Sequence, residues 1–100
     1  MTVNNFVKQI ADYYGLDSQS RQCSEECAEL IVALSKLRRD DVGPCCAIYN
    51  VAEEIADVTI MIMQMMYLLD IPDQQIEDII DEKLERTINE INRKEMGRKA

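Results

Sequence analysis

The sequence predicts an all-α fold, a four-helix bundle completed by oligomerisation. Three Gly and two Pro in 100 residues are too few for a turn-rich β-fold. Apolar residues recur at three- and four-residue spacing over long stretches, the period of a helix. One stretch is apolar on nearly every side, and a chain this short has little material to cover it. The length fits one domain spanning 1–100, with a disordered tail expected from about residue 95.

The first helix is expected from about Val3 to Tyr14, stopping at Gly15, which accepts positive φ without strain. A turn at Leu16-Asp17-Ser18 then supplies N-cap candidates for a second helix reaching about Arg39. Asp40 to Pro44 read as a loop around Gly43 and Pro44. The third helix begins between Cys46 and Asn50 and runs to about Leu69. Pro72 opens a fourth, with Asp73 and Glu77 near its start where the helix dipole favours acids. It should reach about Lys94, leaving Gly97-Arg98-Lys99 to fray.

Helical periodicity assigns a face to each segment. On the second helix Cys23, Cys27, Leu30, Leu34 and Leu37 make an apolar stripe, with Glu26 at its edge. Glu29 and Glu25 follow round the same flank, and Lys36 continues the line two turns on. On the third helix Asn50, Glu54, Asp57, Val58, Met61, Met65 and Leu68 share one face, so Glu54 projects from the middle of a surface meant for burial. An unpaired buried carboxylate is costly and needs a reason. The run from Val58 to Leu69 requires cover all round, which implies a dimer or larger oligomer, and its Met cluster reads as adaptable packing. On the fourth helix Ile76, Ile80, Leu84, Ile88 and Ile91 form the stripe, with Lys83 and Arg86 near its border.

Composition narrows the chemistry. Nineteen acidic against eleven basic residues give a net charge of −8, which argues against a nucleic-acid backbone binder and suits a cation binder. With no His, a Ser-His-Asp triad, a His-paired Cys nucleophile and His-ligated metal sites are excluded. Cys23, Cys27, Cys45 and Cys46 follow no common zinc spacing, and no signal peptide precedes them. They read as reduced thiols of a cytoplasmic protein. The Val58 to Leu69 run is shorter than the roughly 20 residues a bilayer demands, so no membrane partner is expected.

Two acidic motifs remain. Glu25-Glu26-Cys27-Ala28-Glu29 holds an E-x-x-E, and Glu53-Glu54-Ile55-Ala56-Asp57 an E-x-x-D. Like charges three apart lie on one face and destabilise a bare helix by about 0.2–0.5 kcal/mol per pair. Either motif alone is common on solvated helices. Two on neighbouring helices, each beside an apolar stripe, would form a repulsive cluster of four carboxylates. A hard divalent cation relieves it, and all-oxygen ligation selects Mg²⁺, Mn²⁺ or Ca²⁺.

These stretches, EECAELIVALSKLRRD, then NVAEEIADVTIMIMQMMYLLDI, then EKLER, resemble the MazG-like all-α nucleoside triphosphate pyrophosphohydrolases over about Ser20 to Arg93. The resemblance rests on EExxE at Glu25, Glu26 and Glu29, EExxD at Glu53, Glu54 and Asp57, and a later basic element at Lys83-Leu84-Glu85-Arg86. Asn89 and Arg93 match the family's C-terminal pattern only loosely. The resemblance implies Mg²⁺-dependent cleavage of an NTP or dNTP between the α and β phosphates, with Mn²⁺ as a substitute. By motif position Glu26, Glu29, Glu54 and Asp57 would be metal ligands. Glu25 or Glu53 would accept the water proton or orient the ligands. Lys83 and Arg86, with Lys36 as a weaker candidate, would balance phosphate charge. Tyr49, Tyr67 and Phe6 are stacking candidates for the base. A homodimer or homotetramer is implied. The alternative within the fold is an enzyme resembling phosphoribosyl-ATP pyrophosphohydrolase, whose relatives often carry Tyr-His after the second acidic motif where this chain has Thr59-Ile60. A non-catalytic helical regulatory or interaction module is the alternative from another class.

Overall fold

The computed structural model describes residues 4–39 and 43–99, and it is all-α with three helices, α1 (Asn5–Leu37), α2 (Pro44–Leu68) and α3 (Asp73–Lys99). Asn4 caps α1, its Oδ1 accepting the Val7 N–H at 2.9 Å. The helix start expected near Val3 and residues 40–42 of the expected loop lie outside the described residues.

The two N-terminal segments expected as separate helices form one bent element. Gly15 takes φ 84°, ψ 168°, a region essentially restricted to glycine, and helix resumes at once. The expected turn at Leu16-Asp17-Ser18 is therefore helical, since a single Gly absorbs the whole change of direction. Pro44 is the first residue of α2, where its missing N–H leaves no helical bond unmade. At the other end Asp70 adopts φ 54°, while Ile71 N–H reaches Met66 O at 2.9 Å and Asp70 N–H reaches Tyr67 O at 3.3 Å. This pair of reversed bonds closes α2 before Pro72. Helix α3 then continues through Gly97 to Lys99 and does not stop near Lys94.

Helices α1 and α2 pack against each other as an antiparallel pair. Val7, Ala11 and Ala33 on α1 meet a face of α2 that buries Ala47, Met61 and Met66. Gln64 is only 1% exposed, and the buried Gln19 Nε2 donates to its Oε1 at 2.8 Å, which fixes the register of the pair. On α2 the expected face is largely present, with Glu54, Val58, Met65 and Leu68 half-buried around Met61. On α1 it is rotated. The covered positions run through Gln19, Gln22, Cys23, Glu26, Leu30 and Ala33, while Cys27, Leu34 and Leu37 stay exposed. Small Ala33 and Ala47 let the backbones approach, and this draws Glu26 inward.

Helix α3 departs from the line of α2 by 120° and makes almost no contact with the pair. Of its expected stripe only Ile76 is half-buried, and Ile80, Leu84, Ile88 and Ile91 face outward. The radius of gyration is 17.8 Å, against about 13 Å for a packed chain of 100 residues. The accessible surface is 7804 Å², where a folded monomer of this mass exposes about 5,800 Å². Among the described residues no single helix is long and apolar enough to cross a membrane.

Candidate metal centre

The acidic motifs meet where α1 and α2 run side by side. One carboxylate oxygen each from Glu26, Glu54 and Asp57 lies within 4.8 Å of the others, the spacing needed to hold one cation. Antiparallel packing brings this about, because the i,i+3 pair on α2 points both acids towards the turn of α1 that carries Glu26. Among the described residues this is the one such grouping of Cys, Asp and Glu side chains, and the four cysteines do not converge. Glu29 stands outside the triad but lines the adjoining cleft beside Glu54.

Glu54 is the strained member. Its Oε2 is buried without a hydrogen-bond partner. Burial pushes its carboxyl above the usual range, and the charges of Glu29, Asp57, Glu26 and Glu53 push it further in the same direction. No Lys or Arg pairs with Glu54 among the described residues. An orphaned buried oxygen among four other carboxylates fits a hard divalent cation, for which the donor set is all oxygen. Gln22, unmarked by either acidic motif, donates Nε2–H to Glu26 Oε1 at 2.8 Å and orients that carboxylate. Its signal in the sequence is the i,i+4 spacing from Glu26.

Beside the triad opens a cleft of about 490 Å³ lined by both helices. Glu25, Glu29 and Lys36 reach it from α1, and Asn50, Glu53 and Glu54 from α2. Ala28, Val32 and Ala33 form an apolar wall. Glu25 and Glu53 thus face the same space as the metal candidates, as their motif positions suggest. Hydrogen bonding to Glu53 pushes the Tyr49 phenol up, but Tyr49 does not line the cleft. Tyr67 is elsewhere, its hydroxyl donating to Asp12 Oδ1 at 2.8 Å and its ring 5.9 Å from Lys8 Nζ. Phe6 is exposed on the N-terminal arm of α1.

The basic residues divide. Lys36, the weaker candidate from sequence, lines the cleft. Lys83 and Arg86 sit on α3 and do not line it; Arg86 instead pairs with Glu82 at 3.8 Å on the exposed surface. Within one chain they are therefore not brought to the carboxylates, because α3 does not fold back onto α1 and α2. Comparison of the chain with models of known protein families, with curated proteins and with solved structures finds no match.

Proposed function

We propose that this chain is a divalent-metal-dependent nucleotide pyrophosphohydrolase of the MazG-like type, cleaving an NTP or dNTP to the monophosphate and pyrophosphate. The observation that carries the reading is the convergence of Glu26, Glu54 and Asp57, with the buried Oε2 of Glu54 lacking any partner, beside an open cleft. Mg²⁺ is the expected ion and Mn²⁺ its substitute, held by these three residues with Glu29 at the cleft edge. When bound, the ion neutralises polyphosphate charge and acidifies a water molecule. Gln22 holds Glu26 in its ligating orientation. Glu25 and Glu53 both line the cleft, and one or the other would accept the proton of the attacking water or orient the ligands.

The working species is a homo-oligomer in the cytoplasm, a dimer at least. About 2,000 Å² of surface beyond that of a packed monomer fits an extensive interface between copies. The outward stripe of α3 is the face to be covered, which would complete a helical bundle. Lys83 and Arg86 would then meet a substrate phosphate only across that interface.

A panel of ribo- and deoxyribonucleoside triphosphates incubated with Mg²⁺ tests the reading. Monophosphate and pyrophosphate should appear in equal amounts, and chelation should stop the reaction. Orthophosphate with a nucleoside diphosphate, or full activity in excess EDTA, would overturn it. Metal-dependent nucleotide binding without turnover would instead identify a non-catalytic module.

A further inference from the structure

The cleft has a direction. Lys36 lies two turns beyond Glu29 on α1, and Asn50 lies one turn before Glu54 on α2. Because the helices are antiparallel, both residues are displaced towards the same end, roughly 6–10 Å from the carboxylates along the helix axes. That separation is comparable with the distance from the α phosphate to the far edge of the base in an extended nucleotide. Between the two ends stands the wall of Ala28, Val32 and Ala33. A volume of about 490 Å³ is that of a small-molecule site.

With the phosphates held by a cation at the carboxylate end, the base is the part of an extended nucleotide left to reach the far end. There a neutral carboxamide and an apolar wall accompany Lys36, so the surroundings suit a base better than a run of phosphates. The apolar side chains of Ala28, Val32 and Ala33 suit a neutral ring. Lys36 is in no ion pair among the described residues, so its ammonium is available to a ligand. An ammonium has three donors and no acceptor, whereas the Asn50 carboxamide can present either oxygen or nitrogen. Lys36 therefore sets the polarity of the contact and Asn50 adapts to it.

Resting on the pyrophosphohydrolase reading, we infer that Lys36 and Asn50 hold the base of the substrate and select those with an oxo group at pyrimidine position 4 or purine position 6. Lys36 donates to that oxygen, and Asn50 Oδ1 accepts from the neighbouring ring N–H. Cytosine and adenine present an amine and an unprotonated ring nitrogen there, and the amine would face the Lys36 donors. Uracil, thymine, guanine and hypoxanthine nucleotides form the favoured class.

Two matched pairs test this, UTP against CTP and ITP against ATP, since each pair differs in the same oxo-for-amine exchange. With Mg²⁺, kcat/KM should favour the oxo member of both pairs by about tenfold or more, the worth of one charge-assisted hydrogen bond. Lys36→Met should reduce both ratios towards one through KM, and Lys36→Arg should retain them. Mn²⁺ binding measured by calorimetry without nucleotide should be the same in all three proteins. Turnover with equal or amine-favouring ratios overturns this inference alone. So does a Lys36→Met variant that loses all four substrates equally, which would place Lys36 on phosphate. Hydrolysis of none of the four by the parent protein overturns the pyrophosphohydrolase reading and this inference with it.

Discussion

Leu84 on α3 is 59% exposed, in the middle of a stripe left largely uncovered among the described residues. If a second copy covers it, Leu84→Gln removes apolar transfer energy while keeping helix propensity nearly unchanged. Full burial of a Leu is worth about 1.5–3 kcal/mol, so the exposed fraction retains roughly 0.9–1.8 kcal/mol for an interface. A two-fold symmetric dimer loses that twice, about 2–3.5 kcal/mol, which weakens the dissociation constant roughly 30- to 300-fold. Sedimentation across a concentration series reads this directly, and the Tm of the variant should lie below that of the parent at matched concentration. In a monomer the same change is a surface substitution worth within about 0.5 kcal/mol, with no concentration dependence. A folded parent of 11.5 kDa at micromolar concentration, or an unaltered dissociation constant in Leu84→Gln, would refute the reasoning.

Three further outcomes follow from individual side chains. Glu54 holds its proton above the ordinary carboxyl value when metal-free, so the folded state binds more protons than the unfolded one between those two values. Stability in EDTA should therefore be fullest below the ordinary Glu range and fall as pH rises through the raised value. Glu54→Gln should flatten that slope in thermal melts and unfold at or above the parent's temperature at neutral pH. It should also lose most of the stabilisation added by Mg²⁺ or Mn²⁺; a Glu54→Gln protein with intact metal-induced stabilisation would reject Glu54 as a ligand. Gly15→Ala should cost about 1–3 kcal/mol in denaturant unfolding, because the Cβ meets no atom within 4 Å and the penalty is that of the backbone alone. Gln64→Leu should cost about 1–3 kcal/mol by stranding the buried Gln19, and Gln19→Leu in the same chain should recover most of it; purely additive losses would show that the pair is not coupled.

Much of the α2 geometry was legible from spacing alone. Glu54 in the centre of an apolar face is a conflict that only its neighbours resolve, and the structure places it beside Glu26 and Asp57. The break at Gly15 was legible too, because a left-handed φ has one natural residue. Its consequence was not, since whether helix resumes immediately depends on the second dihedral, which composition does not encode. The face of α1 was misjudged by following Cys27, Leu34 and Leu37. A stripe chosen by hydrophobicity assumes that every apolar residue finds cover within its own chain, whereas here two helices cover only the Gln19–Ala33 edge. The role of Lys83 and Arg86 on substrate phosphate came from resemblance, which carries no information on where α3 packs. Their register on α3 is as expected, but the 120° departure of that helix is set by Asp70 and Pro72 and by what α3 packs against. Gln22 escaped notice, and Asn50 was read only as one residue of the α2 face, because single polar residues on a helix carry no pattern until the opposite helix is in place.

Under the proposed function the carboxylate cluster directs water onto the α phosphorus of a nucleoside triphosphate. Hydrolysis in ¹⁸O-labelled water with Mg²⁺, followed by mass spectrometry of both products, tests it most directly. One labelled oxygen should appear in the nucleoside monophosphate and none in the pyrophosphate, with turnover lost in EDTA. Label in the pyrophosphate, or a labelled orthophosphate beside a nucleoside diphosphate, would contradict the account.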